Sequence, residues 1–320
     1  MNTKQLRIVF MGTPEFAVSI LREILQSSHE VIGVITAPDK PAGRGRKLSE
    51  SAVKTFANQH NLKILQPTNL KDSEFVEELS SLRADIFVVV AFRMLPKVVW
   101  SMPKLGTINL HASLLPNYRG AAPINWAIIN GETKTGVTTF FIEEKIDTGK
   151  IIERRELSIG SDETVGSLHD RLMDLGGTTV ISTLDKIANQ KYEAIDQNDL
   201  PLTNLRQAPK IFKEDCEIDF KKTSIEVHNF CRGLDPYPGA WIELLDIKKD
   251  EFKKFKLFES KLTDIKSDGN SSITLGENGI NFPCSDKFIS FGSIQMEGKR
   301  KMSAKEFSIG NTIGDYALRD

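Results

Sequence analysis

Three short apolar runs, LRIVFM (6–11), VIGVIT (31–36) and DIFVVVAF (85–92), with GTINLH (106–111) as a further strand, constrain this chain most. Between them lie stretches such as EFAVSILREILQ, and segments near 51–60 and 72–82, that are helical in character. Strands alternating with helices demand a mostly parallel sheet covered on both faces, a Rossmann-like α/β domain. Gly12-Thr13-Pro14 closes the first run; Thr13 suits a helix N-cap and Pro14 the first helical position. Ligands of such sheets bind at the carboxyl ends of the strands. Asn109 and His111 fall there, at the end of GTINLH.

The pattern changes after about residue 190. The stretch NDLPLTNLRQAPKIFKEDCEIDF carries prolines and little periodicity and reads as a linker, placed at 191–208, which divides the chain into a catalytic domain (1–190) and a second domain (209–320). In the latter, the helix-like segment SIEVHNFCRG precedes short strand-like runs, AWIELL, KFKLFE, SSITLG and FISFGS. These suggest a small β-barrel or sandwich. Ser303 and Glu306 fit a capping box. A length of 320 residues agrees with two domains.

Several function classes drop out. No run approaches the 18 apolar residues of a membrane span, and MNTKQLRIVF has no signal-peptide core. Cys216, Cys231 and Cys284 show no metal spacing and read as free thiols in a reducing cytoplasm. The net charge is -1, and residues 209–320 carry 18 Lys and Arg against 19 Asp and Glu, so a nucleic-acid partner must be met by a local patch. KKDEFKKFK (248–256) and GKRKMSAKEF (298–307) are candidates, with a solvated strand face as the plainer reading.

Residues i and i+2 of a strand share a face, so Asn109 and His111 project together. An amide can donate to an oxygen that gains negative charge, and an imidazole can take a proton near neutral pH. Acyl transfer to an amine needs both. A carboxylate in IEEKIDTGKII, Asp147, sits in a loop between two strand-like runs and could orient His111. Alone, neither NxH nor DTG is specific.

Together with SLLPNYRGAAP they are. The chain resembles the formyltetrahydrofolate-dependent formyltransferases through MGTPEFAV, PDKPAGRGRKL, AFRMLP, NLHASLLPNYRGAAPINWAI, FFIEEKIDTG and RGLDPYPGAW. The resemblance spans essentially the whole chain. It implies a Rossmann-like domain followed by a small OB-fold-like β-barrel domain. It implies a monomeric enzyme that uses 10-formyltetrahydrofolate as co-substrate, without a metal. The acceptor it implies is the α-amino group of initiator methionyl-tRNA. The same resemblance assigns catalysis to Asn109, His111 and Asp147. Folate contacts fall to Ser113, Leu114, Leu115 and Pro116, and the pterin wall to Phe92, Arg93, Met94 and Leu95. Many relatives carry tyrosine and glycine at the positions of Phe92 and Arg93. The loop APDKPAGRGRKL, with Lys40, Arg44, Arg46 and Lys47, would engage tRNA, and the C-terminal domain would help hold it.

Two rivals stand beside this reading. A dehydrogenase would need a GxGxxG turn, which Gly12-Thr13-Pro14 does not supply. A formyltransferase acting on an amino sugar nucleotide can share SLLPxYRGxxP and is the serious alternative.

Overall fold

A computed structural model describes residues 4–42, 47–201, 204–267 and 272–318. The chain divides into two compact units. The first comprises residues 1–120, 135–157 and 170–207; the second comprises 121–134, 158–169 and 208–320.

The first unit is built on a seven-stranded sheet in the order β10-β9-β7-β6-β1-β2-β5. Inside it, β1 (Arg7–Gly12) is flanked in parallel by β2 (Glu30–Ile35) and β6 (Ile86–Val90). Ile8, Val9, Phe10 and Met11 are fully buried, which is why this strand is apolar on both faces. Around it run the ribbon strands β3 (Lys40–Ala42) and β4 (Lys47–Ser49) and the short strand β5 (Ile64–Leu65). The helices are α1 (Glu15–Gln26), α2 (Ala52–Gln59), α3 (Ser73–Ser81) and α4 (Lys97–Trp100). Helix α1 starts one residue later than the sequence suggests. Pro14, not Thr13, is its N-cap, because extended backbone at Pro14 satisfies the boundary without a side-chain bond.

Strand β7 (Thr107–His111) pairs in parallel with β6 and antiparallel with β9 (Lys134–Phe141). The antiparallel edge of β9 and β10 (Ile151–Ser158) is not visible in the apolar-run pattern, since β10 reads IIERRELS, with four consecutive charged residues at its middle. β8 (Arg119–Gly120) and β11 (Gln207–Ala208) are two-residue strands.

In the second unit, β12 (Trp241–Asp246), β13 (Glu251–Lys266), β14 (Thr274–Gly276), β15 (Gly279–Pro283), β16 (Lys287–Met296) and β18 (Tyr316–Leu318) form a curled antiparallel sheet of the OB-like kind. β17 (Met302–Ser303) pairs with β16 and leads into α8 (Ala304–Gly310), whose Ser303–Glu306 capping box forms as expected. The core includes Phe255, Phe282, Phe291 and the buried thiols Cys216, Cys231 and Cys284; burial pushes the Cys284 thiol up to about 12. Helix α5 (Pro123–Ile129) joins this unit through Asn125, which donates to the Gly233 carbonyl at 2.8 Å beyond α7 (Ser224–Arg232). One of the points where the chain passes between the units falls within α6 (Val165–Ala188).

Segment 158–169 is held to α7 by buried polar groups. Arg232 donates to the carbonyls of Gly160 (3.2 Å) and Glu163 (3.0 Å). His228, 1% exposed, has Nε2 3.2 Å from Ser161 O and Nδ1 2.9 Å from Ser260 Oγ. Burial lowers its pKa below the ordinary 6.5, despite the nearby Asp162. The unfolded chain then binds the proton more readily. Stability from this group is therefore present above pH 6.5 and falls as pH drops below it towards the lower folded value. Replacing His228 by Gln should flatten the melting-temperature profile below pH 6.5 relative to the parent. An equally steep acid profile in the variant would remove His228 as a cause.

Candidate active site

Pairing of β7 with β6 sets Asn109 beside Val89, and pairing with β9 sets His111 beside Thr138. The two side chains thus leave the carboxyl half of a central strand, with Asn109 half-buried and His111 7% exposed. His111 Nε2 lies 2.8 Å from the Tyr118 carbonyl oxygen. A carbonyl can only accept, so Nε2 donates and the neutral ring has its lone pair at Nδ1. That atom faces Asp147 Oδ2 at 3.9 Å, an ion-pair distance rather than a hydrogen bond.

Asn109 Oδ1 is buried without a hydrogen-bond partner. An unpaired buried acceptor costs about 1–3 kcal/mol. With the oxygen turned inward, the N–H₂ side is the part of the amide left for a ligand.

Asp147 is placed by backbone. It adopts φ 55°, which Asp tolerates better than most residues, and its Oδ2 accepts from Gly120 N at 3.0 Å. Two residues on, Gly149 is forced by proximity. A Cβ there would lie 1.7 Å from the Phe141 carbonyl oxygen, so only glycine lets the loop return against β9.

One residue that holds this loop escaped the sequence reading. Gln197, 1% exposed, donates to the carbonyls of Asp147 (3.0 Å) and Gly149 (2.8 Å). Its own oxygen accepts from Arg119 Nε and a terminal guanidinium nitrogen at 3.1 and 2.6 Å. No local signal marks it, since YEAIDQNDL reads as polar connector 50 residues from Asp147. Gln197→Ala should lower kcat about tenfold and the melting temperature by several degrees, because buried donors and acceptors lose their partners. Loss of stability with unchanged kcat would limit Gln197 to scaffolding.

The loop after β7 is rigid. Ser113, fully buried, donates to Asn117 O at 2.7 Å, while Thr138 Oγ1 donates to Ser113 O at 2.6 Å and accepts from Leu115 N at 3.1 Å. Arg154 donates to the Leu115 carbonyl at 3.1 Å, and the Leu115–Pro116 peptide is cis. The side chains of Ser113, Leu115 and Pro116 are thus committed inward, and Leu114 is half-buried. In the segment after β6, Leu95 is buried, Phe92 packs partly on the same core and Met94 is 73% exposed. Arg93 donates to the Thr68 carbonyl at 2.9 Å and also to that of Pro67.

Lys40 is exposed at the start of the ribbon, and Lys47 begins its second strand; Arg44 and Arg46 lie outside the described residues. The C-terminal basic clusters are not an all-basic face. Lys248 pairs with Asp315 (2.6 Å), Lys253 with Asp246 (2.6 Å), Arg300 with Glu306 (3.2 Å) and Lys301 with Glu259 (3.0 Å). Lys254 lies over the Trp241 ring at 3.5 Å, and Lys256 donates to Pro238 O.

A cleft of 340 Å³ opens at the other end of β7, beside Thr107, lined by residues including Trp100, Lys104, Phe141 and Lys150. It contains none of Asn109, His111 and Asp147. No described helix is long and apolar enough to cross a membrane.

Comparison with known proteins agrees with this arrangement. Residues 6–184 match the family model described as formyl transferase, and residues 210–312 match that of the formyl transferase C-terminal domain. The chain is 54% identical to a methionyl-tRNA formyltransferase of Flavobacterium johnsoniae, covering 98% of this chain and 99% of that protein. It is 49% identical to a methionyl-tRNA formyltransferase of Bacteroides thetaiotaomicron, over 98% of both. Among solved structures, WlaRD, a sugar 3N-formyl transferase crystallised with dTDP and 5-N-formyl-THF, is 25% identical with a TM-score of 0.65, covering 92% of this chain and 99% of that one. Two matched domains and full-length relatives leave no other assignment: the chain belongs to the formyl transferase family.

Proposed function

We propose that this chain transfers the formyl group of 10-formyltetrahydrofolate to the α-amino group of methionine esterified to initiator tRNA. The observation that carries the chemistry is the convergence of Asn109, His111 and Asp147. The acceptor rests on the full-length similarity to relatives of that name.

The amine attacks the formyl carbon and forms a C–N bond, leaving negative charge on the formyl oxygen and positive charge on nitrogen. Asn109 donates to that oxygen, a contact of the kind often worth ~3 kcal/mol of barrier. Nδ1 of His111 takes the amine proton, because Nε2 is already committed to Tyr118 O. Asp147 stabilises the resulting imidazolium. Collapse breaks the bond to N10 of the folate, which takes the proton held by His111 and leaves as tetrahydrofolate, returning the imidazole to its neutral form.

In this reading Ser113, Leu114, Leu115 and Pro116 meet the folate chiefly through backbone, while Phe92, Arg93, Met94 and Leu95 bound the pterin. Residues 1–190 form the catalytic domain, 191–208 its connector and 209–320 a tRNA-holding domain. Lys40, Arg44, Arg46 and Lys47 grip tRNA phosphates from the ribbon. The Arg44→Ala/Arg46→Ala double variant should raise the KM for methionyl-tRNA, leave that for 10-formyltetrahydrofolate nearly unchanged and make the salt dependence of tRNA binding shallower. Normal tRNA kinetics across salt concentrations would reduce the ribbon to a connector.

A second reading, formylation of an amino sugar nucleotide, is favoured only by the likeness to the sugar enzyme. Tetrahydrofolate release in the presence of each acceptor separates the two. Release with methionyl-tRNA supports the proposal; release with the sugar nucleotide alone overturns it.

A further inference from the structure

The ribbon of β3 and β4 is rooted by polar contacts that the chemistry above does not use. Asp39, just before β3, accepts from Lys54 Nζ on α2 and from Gln66 Nε2 at 2.8 Å. Gln66 follows β5 and also donates to the Ala37 carbonyl at 2.8 Å. Lys54 pairs in addition with Glu50 at 3.0 Å, just past β4, and Thr36 Oγ1 meets Ser51 Oγ at 2.6 Å. Both feet of the ribbon are therefore tied to the sheet and to α2.

The chain immediately after Gln66 is tied elsewhere. The carbonyls of Pro67 and Thr68 are both taken by the guanidinium of Arg93, in the segment after β6, with Thr68 O at 2.9 Å. A planar guanidinium can fix two successive carbonyls, which a lysine's point-like ammonium does less well. Arg93 also sits over the Phe92 ring at 5.6 Å. Residues 66–68 thus connect the ribbon root at one end with the segment 92–95 at the other. Each contact alone is partly exposed and of little worth. Their arrangement as a continuous chain is what carries meaning.

The geometry points to a strut. Gln66 and Arg93 hold the ribbon root and the segment after β6 in one fixed relation, so that the grip on tRNA and the wall of the folate site are set together. Arg93 acts here as a positioning residue, and the strut rests on the reading of the ribbon and wall given above.

The test compares Gln66→Met, which keeps side-chain length and removes the donor, with Arg93→Ala, Arg93→Lys and the Gln66→Met/Arg93→Ala pair. For each, KM is measured for methionyl-tRNA and for 10-formyltetrahydrofolate, with kcat and the melting temperature. Gln66→Met should raise the KM for tRNA about fivefold with kcat and melting temperature little changed. Arg93→Ala should raise both KM values, and Arg93→Lys should not restore the tRNA value. The pair should be no worse for tRNA than Arg93→Ala, because residues acting through one element are not additive. Unchanged tRNA KM in Gln66→Met, or independent multiplicative effects in the pair, would overturn the strut. If the Arg44→Ala/Arg46→Ala variant also leaves tRNA KM unchanged, the ribbon reading itself has failed, and the strut with it. If that variant responds and Gln66→Met does not, only the strut has failed.

Discussion

His111→Ala lowers kcat for formyl transfer by about a hundredfold or more while the protein stays folded. The buried imidazole donates to the Tyr118 carbonyl, and losing that contact costs the fold about 1–3 kcal/mol, which lowers melting without unfolding the chain. What disappears is the Nδ1 lone pair, a proton acceptor that faces Asp147. Asp147→Asn isolates the charge. The asparagine oxygen can still accept from Gly120 N, so the loop keeps its place while the imidazolium loses its counter-ion. Asn109→Ala should lower kcat more than it raises either KM, since an oxyanion donor acts in the transition state rather than on bound substrate. Near-normal kcat in a well-folded His111 variant would remove the proton-acceptor role. The same result in the Asp147 variant would show that the 3.9 Å pair has no part in turnover.

Gly149→Ala should be as damaging through an entirely different cause. Its Cβ would meet backbone, the Phe141 carbonyl oxygen at 1.7 Å and carbon at 2.9 Å, and no side-chain rotation relieves such a contact. The loop must shift, and it carries Asp147 two residues away. Gln197, which bonds the carbonyls of both residues, would lose its geometry too. The expected result is a loss in kcat on the order of a hundredfold with a melting temperature lower by several degrees, since misplacement by an ångström can cost that much rate. A variant with full activity and unchanged melting would mean the loop tolerates another path, contrary to the account.

The contrast between these two residues shows what the sequence makes legible. His111 stands out because an imidazole two residues from an amide, at the end of an apolar run, carries a chemical meaning in one dimension. Strands β1 and β6 are readable for a similar reason: burial on both faces writes near-continuous apolar runs. β10 is not, because one of its faces carries Glu153, Arg155 and other polar groups in ion pairs and hydrogen bonds. Gln197 is illegible because its importance lies entirely in partners distant along the chain. Arg93 looks like a departure within a folate wall, yet its guanidinium is occupied by two carbonyls that no motif predicts. The charged C-terminal clusters looked like candidate phosphate contacts, but carboxylates from neighbouring strands and turns take up several of their cations. Residues 121–134 and 158–169 read as part of the first domain, and they pack in the second unit through side chains such as Asn125 and His228.

The measurement that tests the central claim most directly is the identity and stoichiometry of the product. The purified full chain is incubated with 10-formyltetrahydrofolate and initiator tRNA charged with methionine, and the amino acid is then released from the tRNA. The account predicts N-formylmethionine and tetrahydrofolate in equal amounts, with both falling together in the His111→Ala variant. Tetrahydrofolate released without N-formylmethionine, or equal product from wild type and variant, would contradict it.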